Sequence, residues 1–193
     1  MRGAQRRVPY GEGREAVIDA AIRLVARDGL TKLTFRSLAA EAGVSLGAVR
    51  HSFPTIEDVL KAGLQQCMRL SLAHLESAEG IEDFLSPAYD LILSHPDTAA
   101  FEVKVMIEAQ GRPELLPLAR AHYDAFRDFT RRFLESQGFA PDDPLVQVLM
   151  ALGDGMVYQR VVFGEEHHAD MARQIEGFRR LVRSMTGNRA DSA

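Results

Sequence analysis

Between Thr34 and Lys61 the chain gathers side chains suited to a polyanion: Thr34, Arg36, Ser45, Arg50, His51 and Lys61. Guanidinium and ammonium groups neutralise phosphates, and an arginine fork also matches the O6/N7 pair of guanine. A serine hydroxyl at a helix start, with the first free amides behind it, suits a phosphate oxygen as well. Elsewhere chemistry is thin. No set of nucleophile, base and orienting group is legible, and no phosphate-cradling glycine loop, so no catalytic residue and no cofactor are expected. Cys67 falls on an apolar stripe, and the histidines are scattered. His167 and His168 follow Glu165 and Glu166, but neighbours on a loop converge poorly on one ion, and no metal site is expected.

The elements that position the polar set follow from periodicity. Val17, Ala20, Ala21, Leu24 and Val25 recur at helical spacing, which predicts a helix over about 12–28 that Asp28–Gly29 ends. Thr34 caps a second helix over FRSLAAEA, Gly43 stops it, and Ser45 caps a third over about 46–52. Pro54 closes the third, and Thr55 caps a fourth with Ile56, Leu60, Leu64 and Cys67 as its apolar stripe. Two helices across a tight glycine turn, the second short and polar outward, are a helix-turn-helix arrangement. Helical patterns continue to the C-terminus between Gly and Pro breaks, with no alternating strand pattern. The expected fold is therefore all-α, of about nine helices.

Charge is uneven along the chain. Residues 1–61 hold 10 Lys/Arg against 7 Asp/Glu, and the rest hold 13 against 20, within a net charge of −4. A basic head on an acidic body can orient a protein on nucleic acid. Arg2, Arg6 and Arg7 read as an arm for a minor groove or as a solvated charged end. One cysteine excludes an intrachain disulfide, and no apolar run is long enough for a membrane span. A cytoplasmic location without membrane contact is expected.

The run AAIRLVARDGLTKLTFRSLAAEAGVSLGAVRHSFPTIEDVL resembles the DNA-binding domain of the TetR/AcrR family of bacterial repressors. The resemblance covers Arg14 to Leu60. It implies a DNA-binding head over 1–61, a ligand-binding and dimerisation domain over 62–193, and a palindromic double-stranded operator bound by a homodimer. The implied DNA contacts are Thr34, Arg36, Ser45, Leu46, Gly47, Ala48, Arg50, His51 and Lys61. Leu46 either touches a thymine methyl or sits idle. The chain departs from the family pattern at Arg50, commonly Tyr, at Ile56, commonly Lys, and at Ala48, commonly polar; the Arg50–His51 pair resembles a variant with R-H there. Arg50 is suited to a phosphate or to guanine.

In the second part, Leu115, Ala119, His122, Phe126, Phe129 and Phe133 alternate spacings of four and three, which sets an imidazole in an aromatic stripe. A satisfied core histidine and a ligand contact both fit that pattern. The expected apolar effector site comprises Phe84, Tyr89, Phe101, Met106, Glu108, His122, Tyr123, Phe126, Met150 and Met156. An ionised Glu108 there must be paired, protonated or facing a cationic ligand. On the eighth helix Leu145, Leu149, Leu152 and Met156 make one stripe, and Val148, Ala151, Gly155, Tyr158 and Val162 a second. The ninth adds Ile175, Phe178, Leu181 and Val182. The family resemblance implies dimerisation through these two helices, with the interface expected at Leu145, Leu149, Leu152, Met156, Ile175, Phe178, Leu181 and Val182. Two rival classes stay open: an all-α ligand-binding or scaffold protein that has lost DNA binding, and an all-α enzyme.

Overall fold

A computed structural model describes residues 12–140, 142 and 144–190, so Arg2, Arg6 and Arg7 lie outside the described residues. It contains nine α-helices among them and no strand. These are α1 (Glu12–Asp28), α2 (Phe35–Ala42), α3 (Leu46–Ser52), α4 (Ile56–Leu75), α5 (Ser86–Ser94), α6 (Pro96–Glu108), α7 (Leu116–Ser136), α8 (Leu145–Phe163) and α9 (His168–Ala190). None is long and apolar enough to cross a membrane.

Helix ends in the first sixty residues are set by short polar side chains. Thr34 accepts from the Ser37 amide at 3.1 Å while the Thr34 amide donates to the Ser37 hydroxyl at 2.9 Å, a reciprocal cap that starts α2. Gly43 at φ 67° ends it, in the left-handed region where a Cβ is disfavoured. Ser45 accepts from the Ala48 amide at 3.1 Å and starts α3. Thr55 and Asp58 cap α4 reciprocally, at 3.1 and 3.2 Å.

The chain divides into two compact units that do not follow a single cut in the sequence. The first comprises 1–67 with 100–119, and the second 68–99 with 120–193. Residues 100–119 join the first because Phe101, Val105, Ala109, Leu115 and Ala119 enter the core built by Val17, Leu24, Leu38, Val49, Phe53 and Leu60. Burying an aliphatic or aromatic side chain of this size contributes roughly 1.5–3 kcal/mol. Gly63 of α4 lets the Phe101 ring in: a Cβ there would lie 2.7 Å from the ring tip. Lys104 of α6 adds a polar tie, donating to the Ala26 carbonyl in the last turn of α1 at 2.5 Å.

In the second unit Phe84, Ile92, Phe129, Leu134, Val146, Leu149, Met156, Met171 and Ile175 share one core. Arg179 donates to Asp83 at 2.7 Å and to Ser86 at 3.0 Å, and Arg183 pairs with Glu82 at 2.7 Å, so α9 is held to the segment before α5. This packing corrects the expected dimer surface: Leu149, Met156 and Ile175 are interior residues of their own chain. Left exposed instead are Val148, Leu152, Tyr158, Val162 and Phe163 of α8 and Leu181 of α9. Leu145, Phe178 and Val182 are partly buried. Helix α8 is apolar on two arcs, and periodicity alone does not say which arc faces inward.

Gly63→Ala should lower unfolding free energy by about 1–3 kcal/mol through overpacking against Phe101. Chemical denaturation measures it, and an unchanged midpoint would show that the ring moves aside freely.

Candidate functional site

Helix α3 has one fully buried side chain, Val49, and Ser52 is only partly covered; Leu46, Gly47, Ala48, Arg50 and His51 are exposed. Seven residues are too few for a stable isolated helix, so α3 is held by its caps and by packing on α1 and α2. All nine residues expected to meet DNA are solvent-exposed. Two of their hydroxyls are already engaged as helix caps, Thr34 on α2 and Ser45 on α3. Gly47 has no packing reason to be glycine, since an added Cβ would meet only the Ser45 hydroxyl at 3.9 Å. A side chain there would stand on the face that α3 turns to solvent.

The basic residues of the first unit fall into two groups. Arg23 and Arg27 pair with Glu41 at 3.1 and 3.2 Å, and Arg27 with Asp28 at 3.0 Å. Hydrogen bonds from Arg23, then Arg27, hold the Glu41 carboxyl below its ordinary range. Arg36, Arg50 and Lys61 carry no ion pair among the described residues. Their charge is available to phosphate. Sequence reasoning missed the neighbour of Arg50: its guanidinium carbon lies over the Phe35 ring, 5.7 Å from the centroid.

The residues expected to line an effector site are divided by the fold. Phe101, wholly buried, and Met106 belong to the first core, which corrects their assignment to a cavity lining: their apolar surface is spent on packing. Glu108 is paired with Arg112 at 3.2 Å, one turn on, so it is not the lone carboxylate of an apolar pocket. Phe84 and Met156 are interior residues of the second unit, with Tyr89 and Phe126 packed against its core. The polar handles that remain are on α7. Tyr123 donates to Gln147 of α8 at a long 3.4 Å, and the buried Thr130 hydroxyl donates to the Met150 sulfur at 3.5 Å.

His122 stands apart from these. Its ring packs on Phe126 with centroids 4.7 Å apart, and its buried Nδ1 has no hydrogen-bond partner among the described residues. A satisfied core histidine is therefore not what the structure contains. Burial pulls its pKa down to about 4, so the ring is neutral at pH 7.

A shallow surface groove of about 480 Å³ lies along α8 and α9, lined by Gln159, Phe163, His167, Asp170, Arg173 and Gln174. None of the expected effector contacts lines it. His167 closes the short turn Gly164–His167 and His168 opens α9, which corrects their placement on a loop. His167 bonds Gln159 at 2.9 Å and lies 3.3 Å from the Asp170 carboxylate, while His168 accepts from Arg160 at 2.7 Å. The pair is engaged in joining α8 to α9.

Residues 17–62 match the family model for bacterial regulatory proteins of the tetR family, and residues 75–188 the model for the tetracyclin repressor-like C-terminal domain. Over 128 residues the chain is 27% identical to the nicotine-responsive transcriptional repressor HdnoR of Paenarthrobacter nicotinovorans, covering 62% of this chain and 66% of that protein. Over 126 residues it is 28% identical to YcaN, an uncharacterised HTH-type transcriptional regulator of Escherichia coli K12, covering 64% of this chain and 38% of that one. The matched stretch thus spans less than two thirds of each of these curated relatives. Among solved structures it is similar to the multidrug binding protein EbrR complexed with imidazole, with 26% identity, a TM-score of 0.64, and coverage of 94% of this chain and 96% of that one.

Two outcomes follow from this geometry. Gly47→Ala should leave thermal stability unchanged or raise it by up to about 1 kcal/mol, since alanine is the better helix former, yet weaken binding to DNA. Equal DNA affinity in a titration would show that nothing approaches α3 closely at that point. The depressed pKa of His122 means that the unfolded chain, near the ordinary 6.5, binds the proton more readily than the folded one. Stability of the second unit should thus be full above pH 6.5 and fall as pH drops toward 4. His122→Phe should flatten that limb of the profile, and an unaltered slope would place the effect elsewhere.

Proposed function

Because the chain belongs to the tetR family of bacterial regulatory proteins, we propose that it is a repressor that binds a palindromic operator as a dimer and leaves it when a small, largely hydrophobic effector binds. One observation carries the DNA half of this reading: α3 turns all but Val49 and part of Ser52 outward, with Arg50 unpaired and glycine at 47 for no internal reason. Such a helix is built to be covered by something else, and the Arg50 charge that it presents selects a polyanion. Ile56 supplies no charge where the family commonly has Lys, and Arg36, Arg50 and Lys61 supply the cations instead. The cytoplasm is the compartment in which such a protein meets DNA, and we assign it no catalytic activity.

For dimerisation, the supporting feature is the exposed row Val148, Leu152, Tyr158, Val162 and Phe163 on α8, with Leu181 on α9. Large apolar side chains collected on one face of two helices suit a two-fold contact with an identical copy. The effector reading rests on His122, Tyr123, Phe126 and Met150 in the second unit, where the buried His122 Nδ1 has no partner among the described residues and the Tyr123 and Thr130 hydroxyls make long contacts of 3.4 and 3.5 Å. HdnoR responds to nicotine and EbrR is complexed with imidazole. A flat, apolar ligand with a ring nitrogen fits the same chemistry here, since a neutral imidazole can exchange one hydrogen bond with it. Release follows only if that ligand prefers one arrangement of the head over the other. Helix α4 contributes residues to both units and is the route by which the preference is felt.

Selection of bound DNA from a random pool should recover a palindrome whose half-sites lie about one helical turn, roughly 34–36 Å, or a multiple of it, apart. Leu152→Glu, which sets charge in the exposed α8 row, should yield monomers that no longer recover it. Recovery of no common sequence by the unaltered protein would overturn the repressor reading in favour of a scaffold that has lost DNA binding.

A further inference from the structure

Phe35 is the first residue of α2, and Arg50 lies in the last turn of α3. The Phe35 ring is partly buried against the first core, which fixes it, and the Arg50 guanidinium carbon sits over it at 5.7 Å from the ring centre. We propose that Phe35 is a positioning residue for operator recognition, its ring holding the Arg50 guanidinium in place for DNA; this rests on the reading of α3 as the recognition helix.

The chemistry favours a ring over any polar anchor. An aromatic face attracts a guanidinium through its quadrupole and takes up none of its N–H donors, which stay free in the guanidinium plane. A carboxylate at the same place would consume those donors and cancel the charge, as Glu41 does for Arg23 and Arg27. A long side chain on an exposed helix otherwise samples many rotamers, and ordering it on binding costs affinity. Stacking removes part of that cost beforehand. The head contains a second such pair, Arg14 over Phe53 at 4.7 Å, but there the ring is a buried core residue and the arginine lies on α1 rather than on α3. Of these two pairs, the one with Phe35 involves the exposed helix. Phe35 itself offers DNA neither charge nor a donor.

The test is a double-mutant cycle on the selected operator. Phe35→Leu keeps an apolar side chain and removes the ring, and it should weaken binding about two- to fivefold. The salt dependence should keep its slope, because the number of cations is the same. Phe35→Tyr should restore affinity, and in an Arg50→Ala background Phe35→Leu should cause no further loss. In the free protein, the Arg50 side-chain protons should show a ring-current shift that Phe35→Leu abolishes. An equal loss in both backgrounds, failure of Tyr to rescue, or Arg50 resonances insensitive to residue 35 would each overturn the positioning role. Those outcomes leave the repressor reading standing. If the unaltered protein selects no operator at all, that reading falls and this inference falls with it.

Discussion

The first unit is organised around one constraint: α3 must be held in place while giving up almost none of its surface. Val49 is its single fully buried side chain, so α3 contributes little to its own stability. The surrounding chain makes good the difference. Gly43 sets the angle of entry, Ser45 ties the first turn, and Phe53 buries itself immediately after the last. The reciprocal caps at Thr34–Ser37 and Thr55–Asp58 fix the neighbouring helices, so the exposed residues of α3 sit on a rigid support. Precise recognition by a short helix requires a support of this kind.

The same constraint explains how charge is distributed. Glu41 collects Arg23 and Arg27, two cations of α1, while Arg36, Arg50 and Lys61 carry no ion pair among the described residues. Which cations are left for a polyanion is thus set by pairing rather than by excess, since residues 1–61 carry 10 Lys/Arg against 7 Asp/Glu and the whole chain is acidic. Surface pairs such as Arg23–Glu41 add little stability. Their larger effect is to decide which arginines remain free.

The second unit presents the opposite arrangement, an apolar helix surface that its own core does not cover. Its core takes Leu149, Met156 and Ile175 and still leaves a row of large side chains on α8 in water. Inside, His122 is neutral and its buried Nδ1 has no hydrogen-bond partner among the described residues, a state that costs free energy.

Local chemistry was legible in the sequence wherever the determinant lies within four residues. The limits of α1, α2 and α3, the caps Thr34, Ser45 and Thr55, the stop at Gly43 and the all-helical class follow from spacing and from side chains that bond their own backbone. The nine expected DNA contacts are also all exposed, as short polar caps, charged side chains and the small residues of α3 favour. Contacts between residues distant in sequence were not legible. That Phe101 seats against Gly63, that Phe35 lies beneath Arg50, and which arc of α8 turns inward depend on how helices approach one another. Periodicity reports that a side chain is apolar and on which face it lies, but a helix with two apolar arcs satisfies that pattern in two orientations, and only the tertiary packing chooses between them.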